Sequence, residues 1–129
     1  MLAVDTNVIV RYLTGDHPRQ SVQARTLVDG EDIFVSTTVL LETEWVLRSV
    51  YEFAPDQVRK ALLDFAGLAR VSLEDEALAA LALDRMKDGM DFADALHLGR
   101  AEACDAFVTF DRRLVRTASA IGVDSVRSL

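Results

Sequence analysis

Short, wholly apolar runs alternate along this chain with longer stretches in which apolar residues recur at helical spacing. The first run, Leu2 to Val4, has no polar position and suits a strand buried in a parallel sheet. Val8 to Leu13 reads as a helix stopped at Gly15. Pro18 fits the first turn of a second helix that reaches about Val28, with Gly30 just past its end. Ile33 to Ser36 is predicted as a strand, and Thr37 or Thr38 can cap a helix running to about Tyr51. Pro55 opens the next helix, where Val58, Ala61, Leu62 and Phe65 share one face. Val71 to Leu73 makes a brief strand. Glu74-Asp75-Glu76 then puts negative charge at the positive end of a helix that closes near Lys87, with Gly89 beyond it. A helix from Phe92 to Cys104, a strand from Phe107 to Phe110, a helix from Leu114 to Ala120 and a last strand from Val123 to Val126 complete the pattern. Such alternation predicts one α/β domain over residues 1–129, with a mostly parallel sheet sandwiched by helices.

Four carboxylates interrupt this pattern: Asp5, Glu42, Asp94 and Asp111 each sit in an apolar context. Asp5 and Asp111 end apolar strands, and in open parallel sheets ligands bind beyond the carboxyl ends of the strands. Each can also simply cap the helix that follows, because Asp is a favoured N-cap. On the third helix, a wheel that takes Val39, Val46 and Val50 as the buried line places Glu42 beside that line. Glu44 then points to solvent, four residues before Arg48, at the spacing of an exposed ion pair. Asp94 lies under Leu98 and Ala101, on the side expected to face the core. Asp91 and Asp94 also have the spacing of a capping box, so Asp91 is either a cap or a further ligand. Like charges about 4 Å apart repel by roughly 4 kcal/mol at an effective dielectric near 20. A cluster of such acids calls for a cation, and oxygen-only donors suit Mg²⁺ or Mn²⁺.

Lesser candidates surround these acids. Thr109 is two before Asp111, on the same side of a strand, and can orient it by hydrogen bonding. Asn7 can reach a ligand or cap a helix. His97 falls well round the wheel from Asp94 and reads as a surface residue, and Trp45 reads as core. Arg11, Arg112 and Arg113 are the candidates for phosphate contact, with Arg48 and Arg116 as further rim cations.

The balance of 14 Lys+Arg against 21 Asp+Glu, a net charge of −7, argues against a broad nucleic-acid-binding surface. It leaves room for a metal-dependent site with a local basic rim, since Arg supplies most of the bases and suits bidentate phosphate contact. The single cysteine, Cys104, fits a reducing cytoplasm and reads as a small buried hydrophobe. No membrane span or signal peptide is expected. Neither a P-loop, a G-x-S-x-G elbow nor a zinc-ligand pattern is present. The chemistry left is metal-assisted phosphoryl transfer, phosphodiester hydrolysis being its simplest case.

Val4-Asp5-Thr6-Asn7-Val8, Leu41-Glu42-Thr43-Glu44, Asp91-Phe92-Ala93-Asp94-Ala95-Leu96 and Thr109-Phe110-Asp111 together resemble the PIN-domain (PilT N-terminus) ribonucleases, and more narrowly the VapC-type toxins of toxin–antitoxin pairs. The resemblance covers the whole chain in order. It implies a three-layer α/β/α sandwich and Mg²⁺- or Mn²⁺-dependent endonuclease activity on RNA. It also implies a homodimer and a cognate antitoxin that blocks the site. By the same resemblance Asp5, Glu42, Asp94 and Asp111 are the catalytic metal ligands, with Asp91 as an addition. The residues leave two other readings open. A receiver-like phospho-acceptor module would need an acceptor Asp at a mid-chain strand end and a late Lys. A non-catalytic PIN-fold domain would use its acids only to grip a basic partner.

Overall fold

The computed structural model describes residues 1–129, which divide into two compact units, Met1–Glu76 and Ala77–Leu129. In the first unit the elements are β1 (Leu2–Ala3), α1 (Thr6–Thr14), α2 (Pro18–Gly30), β2 (Ile33–Val35), α3 (Thr37–Ser49), α4 (Pro55–Ala66) and β3 (Val71–Leu73). The three strands pair in the order β1-β2-β3, all parallel, with Ala3 opposite Phe34 and Val35 opposite Leu73. Ile9, Val28, Ile33, Val35, Leu47, Val58, Leu62 and Phe65 are almost fully buried. Tyr12 meets the Phe65 ring edge-on, with centroids 5.5 Å apart.

The second unit holds α5 (Glu76–Lys87), α6 (Phe92–Arg100), β4 (Phe107–Thr109), α7 (Arg112–Ala120) and β5 (Val126–Ser128). β4 and β5 pair in parallel across α7, which makes a βαβ unit. α5 and α6 cross closely at Gly99, where a Cβ would lie 2.5 Å from Leu78 Cδ1. Strand pairing is therefore parallel throughout, as the alternation of elements predicts.

Several expectations need correction. β1 is two residues long and has a neighbour on one side only, so Leu2 and Ala3 are exposed instead of buried. On α3 the buried face is Leu40, Thr43, Glu44 and Leu47, not the Val39–Val46–Val50 line. That helix carries apolar residues nearly all round, so periodicity alone cannot choose its inner face. Glu44 is consequently buried at 1% exposure, Glu42 is exposed, and Trp45 is not core but 53% exposed. The buried Glu44 is tolerated because Arg48, one turn later, donates from Nε and Nη2 to its two oxygens at 2.9 and 3.3 Å. The predicted i,i+4 pair exists, but on the inner side of the helix. α6 ends at Arg100, four residues early, and Cys104 in the turns that follow is exposed. The last strand begins at Val126, three residues later than predicted, after a turn at Gly122 with φ 82°.

Candidate active site

In the first unit Thr6 joins two of the four acids. β1 ends into Asp5, which adopts an extended conformation at the N-cap of α1 and accepts the Thr6 amide at 2.8 Å. The Thr6 side chain, 3% exposed, donates its hydroxyl to Glu42 Oε1 on α3 at 2.5 Å. One buried residue therefore binds both a strand-end carboxylate and a mid-helix carboxylate, each through one oxygen. Sequence reasoning passed over Thr6. Its signal was its place directly after a strand-ending Asp, where a hydroxyl has no packing advantage over valine. Asn7 is exposed on the first turn of α1.

The second unit contributes three aspartates. Asp91 caps α6 by accepting the Asp94 amide at 3.0 Å, which is the N-cap half of the expected capping box. Asp111 caps α7 by accepting the Leu114 amide at 3.1 Å. Thr109 acts on the backbone here, its hydroxyl accepting the Asp111 amide at 3.0 Å. Asp94 is half-buried, and burial is the main cause that lifts its carboxyl pKa above the usual range. The negative charges of Asp91 and Asp111 raise it further, and His97 offsets part of this. His97 itself is exposed, as expected.

Capping does not exhaust these acids. A cap uses one oxygen, whereas two aspartates that load charge onto the half-buried carboxyl of a third gain nothing for the fold. The donor set is oxygen only, which fits a hard divalent cation in kind. Within neither unit do three acidic, His or Cys side chains stand together as a preformed ion cage.

The arginines divide into two groups. Arg11 is held by Gln20 at 2.9 Å, Tyr51 at 3.0 Å and Asp16 at 3.3 Å. Asp16 also accepts from the Tyr51 and Thr14 hydroxyls, at 2.6 and 2.8 Å, and these bonds hold its carboxyl below the ordinary range. Arg112 and Arg113, on the first turn of α7, are exposed and held by nothing.

The PIN domain family matches residues 2–120, a span that includes all four acids. The chain belongs to the PIN domain family. PIN domains are of the three-layer α/β/α class, and the parallel strands and seven helices here agree with it. They are typically metal-dependent nucleases. No curated protein matches the chain. No helix is long and apolar enough to cross a membrane.

Proposed function

We propose that this PIN domain is an endoribonuclease that hydrolyses RNA phosphodiester bonds, and that it serves as the toxin of a type II toxin–antitoxin pair. The observation that carries the reading is the Thr6 bridge. A buried hydroxyl is spent on aiming the exposed Glu42 carboxylate beside a strand-end Asp, and folding alone gives no reason for it. Asp5, Glu42, Asp94 and Asp111, with Asp91 as an addition, would hold Mg²⁺ or Mn²⁺. Such an ion activates water and neutralises charge on the phosphodiester.

The protein's own groups supply the rest. Thr6 orients Glu42, and Thr109 fixes the backbone at Asp111. Arg112 and Arg113 meet substrate phosphates, and Arg11, already held by three partners, serves α1 instead. The toxin role rests on the likeness of all four motifs to VapC-type proteins. With it go a cognate antitoxin, a homodimer and a cytoplasmic location.

The test is cleavage of RNA by the purified chain, freed of any bound partner, with Mn²⁺ or Mg²⁺. Wild type is expected to cleave and to stop when the metal is chelated. Asp5→Asn and Asp94→Asn are expected to fold normally and lose at least ~100-fold in rate, the scale of one lost charge-stabilising contact. Silence of the wild type with both ions would end the enzyme reading. Stable phosphorylation of one Asp by a small phosphodonor would favour a receiver-like module instead.

A further inference from the structure

Glu52 is the only residue other than glycine with a positive φ, 56°, and it stands in the turn that leaves α3. The Tyr51 amide donates to the Val46 carbonyl at 3.2 Å and the Phe53 amide to the Leu47 carbonyl at 3.0 Å, which closes the helix end around Glu52. Such a position suits glycine, and a side chain there costs stability. What the strained turn delivers is Tyr51. Its hydroxyl accepts from Arg11 Nη1 of α1 at 3.0 Å and donates to Asp16 Oδ2 at 2.6 Å. We propose that Tyr51, with Arg11 and Asp16, is a clamp that sets α1 against α3 and so positions the Thr6–Glu42 pair for a divalent cation. The inference rests on the metal-nuclease reading and adds to it positioning residues that touch neither the ion nor RNA.

Three observations support it. First, Thr6 and Arg11 lie on the same helix, and both reach the α3 segment, Thr6 at Glu42 and Arg11 at Tyr51. With one such bond, Glu42 would follow any pivot of one helix on the other. A second bond, roughly 7.5 Å further along α1 at the helical rise, fixes the angle between them. Second, the clamp is closed on itself. Arg11 Nε donates to Gln20 at 2.9 Å, Arg11 Nη1 lies 3.3 Å from Asp16, and the Thr14 hydroxyl donates to Asp16 at 2.8 Å. The Tyr51 ring meets Phe53 edge-on, with centroids 6.3 Å apart. Third, the clamp gives the fold little in return for the strained turn. The Asp16 side chain is 41% exposed, and ion pairs so exposed contribute little to stability. Backbone strain kept for a surface network points to the geometry that the network sets.

A phosphate contact by Arg11 fits less well, because its Nε and Nη1 are both engaged by protein groups. A plain helix cap fits Glu52 no better, since any role confined to ending α3 is met by glycine without strain.

The experiment is calorimetric titration of the full chain with Mn²⁺. Tyr51→Phe removes the hydroxyl and keeps the ring, and Asp16→Ala removes the other anchor; should one of them fail to fold, the other carries the same test. Each is expected to bind Mn²⁺ ~3-fold or more weakly than wild type, the scale on which a packed network transmits a change. The double variant is expected to bind no more weakly than the weaker single one, because both changes break one network. The effect of Tyr51→Phe is expected to persist in an Asp94→Asn background and to vanish in Glu42→Gln, since it acts through Glu42. A merely structural hydroxyl would weaken binding alike in both backgrounds, and that result would overturn the proposal. So would Mn²⁺ affinity unchanged in both variants, or affinity unchanged with weaker binding of an oligoribonucleotide in EDTA, which would return Arg11 to phosphate contact. If wild type binds Mn²⁺ and cleaves RNA while the clamp variants bind the ion equally well, only this inference falls. If wild type binds no Mn²⁺, the metal-nuclease reading falls with it.

Discussion

Asp94 is the residue at which the fold works against itself. Its carboxyl is half-buried and faces two like charges, so the folded state holds its proton more tightly than the unfolded chain does. For a carboxyl raised in this way, the stabilising contribution belongs to low pH and is lost as pH rises through the raised value. At neutral pH without metal, Asp94 is therefore a liability. Asp94→Asn is expected to melt at a higher temperature than wild type in EDTA at pH 7. That advantage should shrink as the pH falls through the raised pKa, and Mg²⁺ or Mn²⁺ should raise the wild-type melting temperature more than the variant's. Scanning calorimetry with and without the ion, at two pH values, checks all three. An Asp94→Asn protein that melts below wild type in EDTA would show that Asp94 is a structural cap. Glu44 presents the opposite case, an acid buried for the fold and matched by Arg48. Arg48→Met leaves that carboxylate buried with its main partner gone, at an expected cost of about 3 kcal/mol in urea unfolding. Replacing Glu44 by Leu as well should recover most of the loss.

The helices and strands were the most legible part of the chain, and the reasons are local. Pro18 and Pro55 open α2 and α4 in the places where a missing amide costs nothing. Gly15 ends α1 in the left-handed conformation at φ 64°, and a Cβ there would lie 3.1 Å from Arg25 Nη2. Gly15→Ala is therefore expected to cost about 1 kcal/mol or more, read from the urea midpoint, with no change in the ability to cleave RNA. Failure came where the local signal was ambiguous. α3 is apolar on several faces, and only its packing partners decide that Leu40 and Leu47 turn inward. The error carried Glu42, Glu44 and Trp45 with it, exchanging the burial of the two acids. What ties Glu42 to the Asp5 strand end is the hydroxyl of Thr6, not its place on the wheel. A contact between residues 36 apart in the chain leaves no trace in periodicity.

Taken as a whole chain, the PIN domain distributes its four motif acids between both compact units, Asp5 and Glu42 in one, Asp94 and Asp111 in the other. Asp5, Asp94 and Asp111 stand out because strand-end acids and a half-buried helical acid break the hydrophobic pattern, whereas Glu42 is exposed and does not. The purpose of the Arg112-Arg113 turn was less readable, since arginines are ordinary surface residues until their lack of partners is seen. The fold accounts for Asp5, Asp91 and Asp111 as helix caps, and the proposed cation would give a role to the charge on Asp94 and the aim of Glu42. Mn²⁺ binding by isothermal titration calorimetry tests this most directly, comparing wild type with Asp5→Asn, Glu42→Gln, Asp94→Asn and Asp111→Asn. Wild type is expected to bind the ion, with ~10-fold or greater weakening in every variant, the scale on which lost support at a metal site is felt. A wild type that binds no Mn²⁺, or four variants that bind it as wild type does, would contradict the account.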